Sequence, residues 1–174
     1  MKIIGFLALL STSAFARSAF WAPANPPHAH YVIVAQVNSD ASRLDGSAKI
    51  SFTNDTSRPI GRVAFLFSEK ELRVRVGGQT ANRIAGVKHE ALFELPNEVA
   101  PGAAVELAVE WVITHEALKE GEGGATWGWY PRLWWGFQTL DDYQVVVHAP
   151  PTLTVLVAGK RPDAITQARD TRAL

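Results

Sequence analysis

The 174-residue chain contains no cysteine, which excludes disulfide bonds, cysteine-ligated metal and thiol chemistry. It has no excess of charge of either sign, since 17 lysines and arginines balance 17 aspartates and glutamates. A neutral chain offers no long-range attraction to nucleic acid or to an anionic membrane surface, so neither is expected as a partner. The apolar run of residues 3–10 is well short of the roughly 20 residues that a membrane span needs, and no later segment is a candidate.

The amino terminus has the pattern of a secretory signal peptide. Met1-Lys2 carries a positive charge, residues 3–10 (IIGFLALL) form a short apolar run, and Ala14-Phe15-Ala16 fits the small-residue pattern of a cleavage site. The sequence therefore predicts a signal peptide over residues 1–16 and a secreted or periplasmic protein. An uncleaved amino-terminal anchor is the alternative, and the cleavage site argues against it.

Helical periodicity is almost absent, and apolar residues alternate with polar ones instead. In "AVELAVEWVIT" every second residue from Val105 to Ile113 is apolar, whereas Glu106 and Glu110 fall on the opposite face. Eight or nine such runs can be counted, which predicts an all-β fold, an antiparallel β-sandwich. Turns are expected between the runs at Asp45-Gly46, Asn54-Asp55, Gly77-Gly78 and Pro101-Gly102.

The alternating pattern covers residues 29–159, a length suited to one domain. Residues 17–28 precede it as an extended lead-in, in which prolines disfavour regular structure. Residues 160–174 follow as a polar tail with no apolar face, for which we expect a frayed end or a short surface helix.

No set of residues with a catalytic pattern is found. "THEALKE" is close to the zinc-binding H-E-x-x-H, but the position of the second histidine is occupied by Lys119, and a protonated ammonium cannot bind zinc. His28 and His30 lie on one side of an extended chain without a nearby third ligand, so metal binding there remains an open alternative. Asn54-Asp55-Thr56 matches a glycosylation acceptor, and an Asx turn explains it equally well. We therefore expect no metal, no cofactor and no enzymatic activity from this chain alone.

The segment "TWGWYPRLWWGF" holds four of the six tryptophans. On an extended backbone Trp127 and Trp129 share a face, whereas adjacent Trp134 and Trp135 point in opposite directions. Arg132, which lies between these two pairs of tryptophans, can stack on an indole ring. Aromatic side chains at this density form a core or interface seam, or a surface that binds sugar rings or peptide side chains. The candidate contact residues are Trp127, Trp129, Tyr130, Arg132, Trp134 and Trp135.

The order of the motifs resembles the opening of the membrane alanyl aminopeptidase family of gluzincin zinc metallopeptidases. The motifs that carry the resemblance are "HYVIVAQVN", "LDGSAKISFTND", "LRVRVGG", "AVELAVEWVIT" and "WYPRLWWGFQTLDDYQVVVHAPPTLTVLVAGK". They span residues 30–160. The resemblance implies the family's saddle-like β domain, which packs on a helical catalytic domain. The family's G-x-M-E-N loop and its H-E-x-x-H motif, which holds the zinc, are absent from this sequence.

Two hypotheses follow. In the first, the chain is the non-catalytic amino-terminal domain, or a truncated fragment, of an aminopeptidase-like protein. Its aromatic segment then packs against, or lines the cleft of, a missing catalytic domain or partner chain. In the second, the chain is an independent extracellular module that binds a glycan or peptide. The family's amine-binding glutamine or glutamate would fall near Glu120 and Glu122, but the local pattern assigns neither.

Overall fold

The computed structural model describes residues 26–40, 42–67, 71–85, 90–114, 129–136, 141–151, 166–168 and 171–173. These residues form strands and turns without a helix, so the prediction of an all-β fold is confirmed. The described residues therefore include no helix that could cross a membrane. Ten strands lie in two sheets, more than the eight or nine predicted, because several strands are only two to four residues long.

The larger sheet has six strands in the order β10-β1-β2-β8-β4-β5. Every neighbouring pair is antiparallel except β1 and β10, which run parallel. No hairpin joins these two strands, so their direction is not restricted by a short connection. The strands are β1 (Ala29–Val37), β2 (Arg43–Thr53), β4 (Leu72–Val76), β5 (Gln79–Thr80), β8 (Ala104–Thr114) and β10 (Asp142–His148).

The smaller sheet has four strands in the order β6-β7-β3-β9, all antiparallel. They are β3 (Ile60–Leu66), β6 (Asn82–Ala85), β7 (Glu90–Val99) and β9 (Arg132–Trp134). In the carboxyl-terminal tail β11 (Thr166–Ala168) pairs with β12 (Thr171–Ala173), where a frayed end or a helix was expected. The predicted strand "LTVLVAG" lies outside the described residues.

The core lies between the two sheets and follows the alternation in the sequence. On β8, Leu107, Val109, Trp111 and Ile113 are buried, whereas Glu106 and Glu110 are exposed. Each strand of an antiparallel sheet that covers a core on one face is expected to show this period of two. The inner faces also contribute the buried residues Tyr31, Ile33, Ile50, Phe52, Val63, Phe65, Val74, Phe93, Leu133 and Trp135.

The prediction of a turn at Asp45-Gly46 is wrong. Strand β2 continues through both residues, and Gly46 pairs with Trp111 of β8. The chain reverses earlier, where Asn38 Oδ1 accepts a hydrogen bond from Arg43 N at 2.9 Å. In the same turn Asp40 Oδ1 accepts from the amide of Ser42 at 3.1 Å. Side-chain acceptors of this kind stabilise a turn locally, so the reversal needs no glycine.

The other predicted turns are confirmed. Gly77 and Gly78 join β4 to β5 with φ angles of 56° and 82°, and Gly102 has a φ of 77°. Positive φ angles are accessible to glycine at little cost. Beside Gly102, the side chain of Asn54 is buried and forms the expected Asx turn, with Oδ1 accepting from Thr56 N at 3.1 Å. Its Nδ2 donates to Arg58 O and Val99 O, both at 2.8 Å, so this amide is engaged inside the fold.

Candidate contact site around the aromatic segment

The described part of the aromatic segment begins at Trp129 and ends at Gly136. Trp129 and Tyr130 lie just before β9 and are half-buried, as are Arg132 and Trp134 on β9 itself. Trp127 lies outside the described residues. The structure thus brings four of the candidate contact residues to partly exposed positions along one short stretch of chain.

Two side chains of the larger sheet hold this segment in place. The hydroxyl of Tyr31 accepts a hydrogen bond from Leu133 N at 2.9 Å. The indole of Trp111 donates from Nε1 to the carbonyl oxygen of Trp129, also at 2.9 Å. Because β9 is itself paired with β3, these bonds connect the two sheets across the sandwich. The position of the segment is therefore determined by β1 and β8 as well as by β3.

Trp135 belongs to the core and not to the surface. Its side chain is 2% exposed, and its ring makes an edge-to-face contact with Phe52 at a centroid distance of 5.6 Å. Adjacent Trp134 faces the other way and is half-buried. The expectation that these two residues point in opposite directions is confirmed, but Trp135 is inaccessible to a partner and is removed from the candidate surface.

Tyr143 of β10 extends the aromatic surface and was missed in the sequence. Its side chain is 42% exposed, and its ring stacks on Tyr31 at a centroid distance of 4.7 Å. Tyr130 makes edge-to-face contacts with Tyr143 at 5.7 Å and with Trp129 at 4.8 Å. We call Trp129, Tyr130 and Tyr143 the open aromatic cluster. The sequence signal was present, because Tyr143, Val145 and Val147 alternate like an inward-facing row.

The hydroxyls of Tyr31 and Tyr143 act as hydrogen-bonding groups and not as bases. Burial raises the pKa of Tyr143 well above its usual range, and the neighbouring Tyr130 and Asp141 raise it further. Burial is also the main cause of the raised pKa of Tyr31, which the hydrogen bond from Leu133 lowers only in part. Both phenols therefore stay neutral at physiological pH. The cluster offers contact area and hydrogen bonds to a partner.

The two histidines proposed as a metal grip lie at the start of β1. His28 Nε2 is 3.0 Å from Asp142 Oδ2, and both side chains are mostly exposed. The hydrogen bond from His28 is the first cause of a lowered Asp142 pKa. Within the described ranges no group of three or more His, Cys, Asp or Glu side chains is arranged to hold a metal ion. His115 and Lys119 of the "THEALKE" stretch lie outside these ranges.

The hydrogen bond between Tyr31 and Leu133 leads to a testable prediction. Tyr31→Phe keeps the ring but leaves the Leu133 amide buried without its acceptor, so unfolding free energy should fall by about 2 kcal/mol. Tyr143→Phe, which alters a half-exposed hydroxyl on the neighbouring ring, is the control and should change it by less than about 1 kcal/mol. Urea denaturation followed by tryptophan fluorescence measures both values. Equal losses in the two variants would show that the Tyr31 hydroxyl does not hold the segment.

The fold resembles that of solved zinc metallopeptidases. A mutant M1 zinc metallopeptidase from Deinococcus radiodurans, bound to a Tyr-Ser-Ala substrate, matches with a TM-score of 0.53 and 15% identity over 83% of this chain. A two-domain M1 zinc metallopeptidase mutant bound to L-tryptophan matches with a TM-score of 0.50 and 17% identity, again over 83% of this chain. The likeness shows a shared fold. This chain spans only 37% of the length of each of those proteins.

No family model matches the chain, and no curated protein matches it. The likeness to metallopeptidases is therefore a likeness of fold, in the order and packing of the strands.

Proposed function

We propose that this chain acts as a non-catalytic β domain of the kind that precedes the catalytic domain of an aminopeptidase-like zinc metallopeptidase. The observation that carries the proposal is the open aromatic cluster at the edge of the fold. The fold resembles part of an M1 zinc metallopeptidase, and this chain spans 37% of the length of that protein. In this role the cluster packs against, or lines the cleft of, a catalytic domain or partner chain. Zinc and peptide hydrolysis would belong to that second domain.

The cluster has the chemistry of a protein contact. Tyrosine and tryptophan bury large apolar areas and keep a polar atom available at the rim of an interface. Arg132 and Asp141 lie close enough to Tyr143 to influence its ionisation, and they provide charges of both signs beside the aromatic rings. An apolar centre with a charged rim is the usual composition of a specific interface.

A direct binding experiment tests this role. The DNA around the gene of this chain is first searched for a reading frame with an H-E-x-x-H motif. A catalytic domain found there is produced separately and titrated with the full chain by calorimetry. Trp129→Ser combined with Tyr143→Ser should weaken the complex at least about 30-fold, because two central aromatic contacts are lost. Ile84→Ser is the matched control, since Ile84 is 38% exposed on β6 of the other sheet; its affinity should stay within about twofold.

Two outcomes would contradict the proposal. If the catalytic domain does not bind the wild-type chain, the cluster has no such partner. If the purified chain alone hydrolyses an aminoacyl-arylamide, and the activity co-purifies with it, the non-catalytic assignment is wrong. We also propose that the chain is exported, on the basis of the signal-peptide pattern in residues 1–16.

An independent module that binds glycans or peptides is the second candidate. It is favoured by the contiguous exposure of the open aromatic cluster, in which Tyr143 is 42% exposed and Trp129 and Tyr130 are half-buried, because contiguous apolar patches often mark binding sites. It is disfavoured by the packing of the same ring, which stacks on Tyr31 and meets the edge of Tyr130, so little of its face is free for a sugar. A saturable change of tryptophan fluorescence on titration with glycans, without any binding to a catalytic domain, would favour this candidate.

A further inference from the structure

The outer face of the larger sheet carries a groove that the proposed function does not use. It has a volume of about 480 Å³, within the usual range for sites that hold small molecules. Strands β1, β2, β8 and β4 form its floor, and the register places Val34, Ser47, Glu110 and Arg73 in one row across them. The open aromatic cluster lies on the inner side of this sheet, so the groove is a separate surface.

Not every charged side chain that lines the groove is paired with another one. Arg43 donates to both carboxylate oxygens of Asp45, at 2.9 Å and 2.7 Å, so its guanidinium is occupied. Arg73 takes part in none of the ion pairs of the described residues. Among the ion pairs of the described residues, its register partner Glu110 takes part in one, with Arg75 at a long 4.0 Å. The groove therefore presents an unoccupied guanidinium beside a weakly paired carboxylate.

The other residues that line the groove determine which ligands fit it. Glu71, whose backbone carbonyl accepts a hydrogen bond from Val112 N at 3.3 Å, adds another carboxylate to the lining, and its charge also acts on Arg43. Together with Asp45 these acids disfavour a polyanion, because like charges repel. Val34 is 39% exposed at the floor and provides an apolar contact. The lining thus matches a small molecule that carries one negative charge, one positive charge and an apolar side chain.

We propose that the groove binds zwitterionic dipeptides. The ligand's carboxylate pairs with the Arg73 guanidinium, for which a planar fork of donors is well suited. Its ammonium group lies towards Glu110 and Glu71, and its side chain contacts Val34. Neighbouring strands are about 5 Å apart, which is close to the separation of the two charged ends of an extended dipeptide.

The test uses the dipeptide alanyl-valine and amide chemical-shift mapping on the full chain. We expect saturable shifts confined to residues around Val34, Ser47, Arg73 and Glu110. The N-acetylated and carboxyl-amidated forms of the dipeptide should each bind about tenfold more weakly, because each lacks one charged end. Arg73→Gln should also weaken binding about tenfold, whereas Lys49→Gln, an exposed residue of the same face outside the groove, should leave it unchanged.

Several results would overturn the proposal. These are the absence of shifts at saturating dipeptide, shifts that map to the open aromatic cluster, or equal affinity for the amidated form. Both charge variants lie on exposed positions, so they should retain the wild-type amide spectrum away from the groove. None of these measurements involves the catalytic domain, so the groove and the proposed docking role can fail independently.

Discussion

Replacing Gly46 with alanine is expected to lower the unfolding free energy by about 3 kcal/mol, a large effect for one added methyl group. Gly46 lies within β2, and a Cβ atom there would overlap the indole ring of Trp111 on the paired strand β8. The ring cannot move aside freely, because Trp111 Nε1 donates to the carbonyl of Trp129 at 2.9 Å. The substitution therefore either strains the core or breaks the hydrogen bond that holds the aromatic segment.

The matched control is Gly61→Ala on β3. A Cβ atom at Gly61 would lie 3.2 Å from Oε1 of Glu98, the far end of an exposed and flexible side chain. That side chain can move into solvent, so the stability should change by less than about 0.5 kcal/mol. Thermal unfolding should show a midpoint lower by on the order of 10 °C for Gly46→Ala and little change for Gly61→Ala. Equal midpoints for the two variants would contradict the close approach of Trp111 to β2.

The second large effect is expected from Asn54→Asp, which should destabilise the protein by about 4 kcal/mol at neutral pH. The Nδ2 atom of Asn54 donates to Arg58 O and Val99 O, and its side chain is fully buried. An ionised carboxylate has the same shape but no hydrogen to donate, so it would face two carbonyl oxygens without water.

The destabilisation should depend on pH with a defined sign. Burial and the two carbonyls favour the neutral acid, so the folded-state pKa of the introduced carboxyl lies above the unfolded value of about 4. Below that value both states are protonated, and the difference from the wild type is smallest. The penalty grows as pH rises towards the folded-state pKa and is constant above it.

Urea denaturation of the variant and the wild type at a series of pH values measures this difference. Asp55→Asn, at the neighbouring exposed position, is the control and should change stability by less than about 0.5 kcal/mol at every pH. A penalty for Asn54→Asp that is independent of pH, or that falls as pH rises, would contradict the buried hydrogen bonds of Nδ2.

Much of the fold was predictable, because alternation identifies the inward-facing residues of each strand. The buried row from Leu107 to Ile113 and the turns at Gly77-Gly78 and Pro101-Gly102 follow from local patterns. The prediction of a turn at Asp45-Gly46 failed, although the local sequence there favours a turn. There the pairing of β2 with β8 over eleven residues, and the space that Trp111 takes above the glycine, outweigh a local preference.

The site was predictable in part for a similar reason. Two adjacent tryptophans in a strand must face opposite ways, but only the packing against Phe52 shows that Trp135 is the inner one. Tyr143 joins the cluster because β10 pairs with β1 in parallel, which places it beside Tyr31. Pairing between distant segments is determined by the whole sheet, and no local pattern in a single sequence encodes it.

The parallel pairing of β1 with β10 also has a consequence for the speed of folding. Ala29 N donates to Asp141 Oδ1 across 112 residues of sequence, and the two strands form their ladder over the same separation. Closing so large a loop has a high entropic cost before any contact compensates for it. Domains dominated by such distant pairings fold in milliseconds to seconds, far more slowly than helical bundles. The first strand of this chain therefore has to remain unpaired on that side until nearly all of the domain has been synthesised.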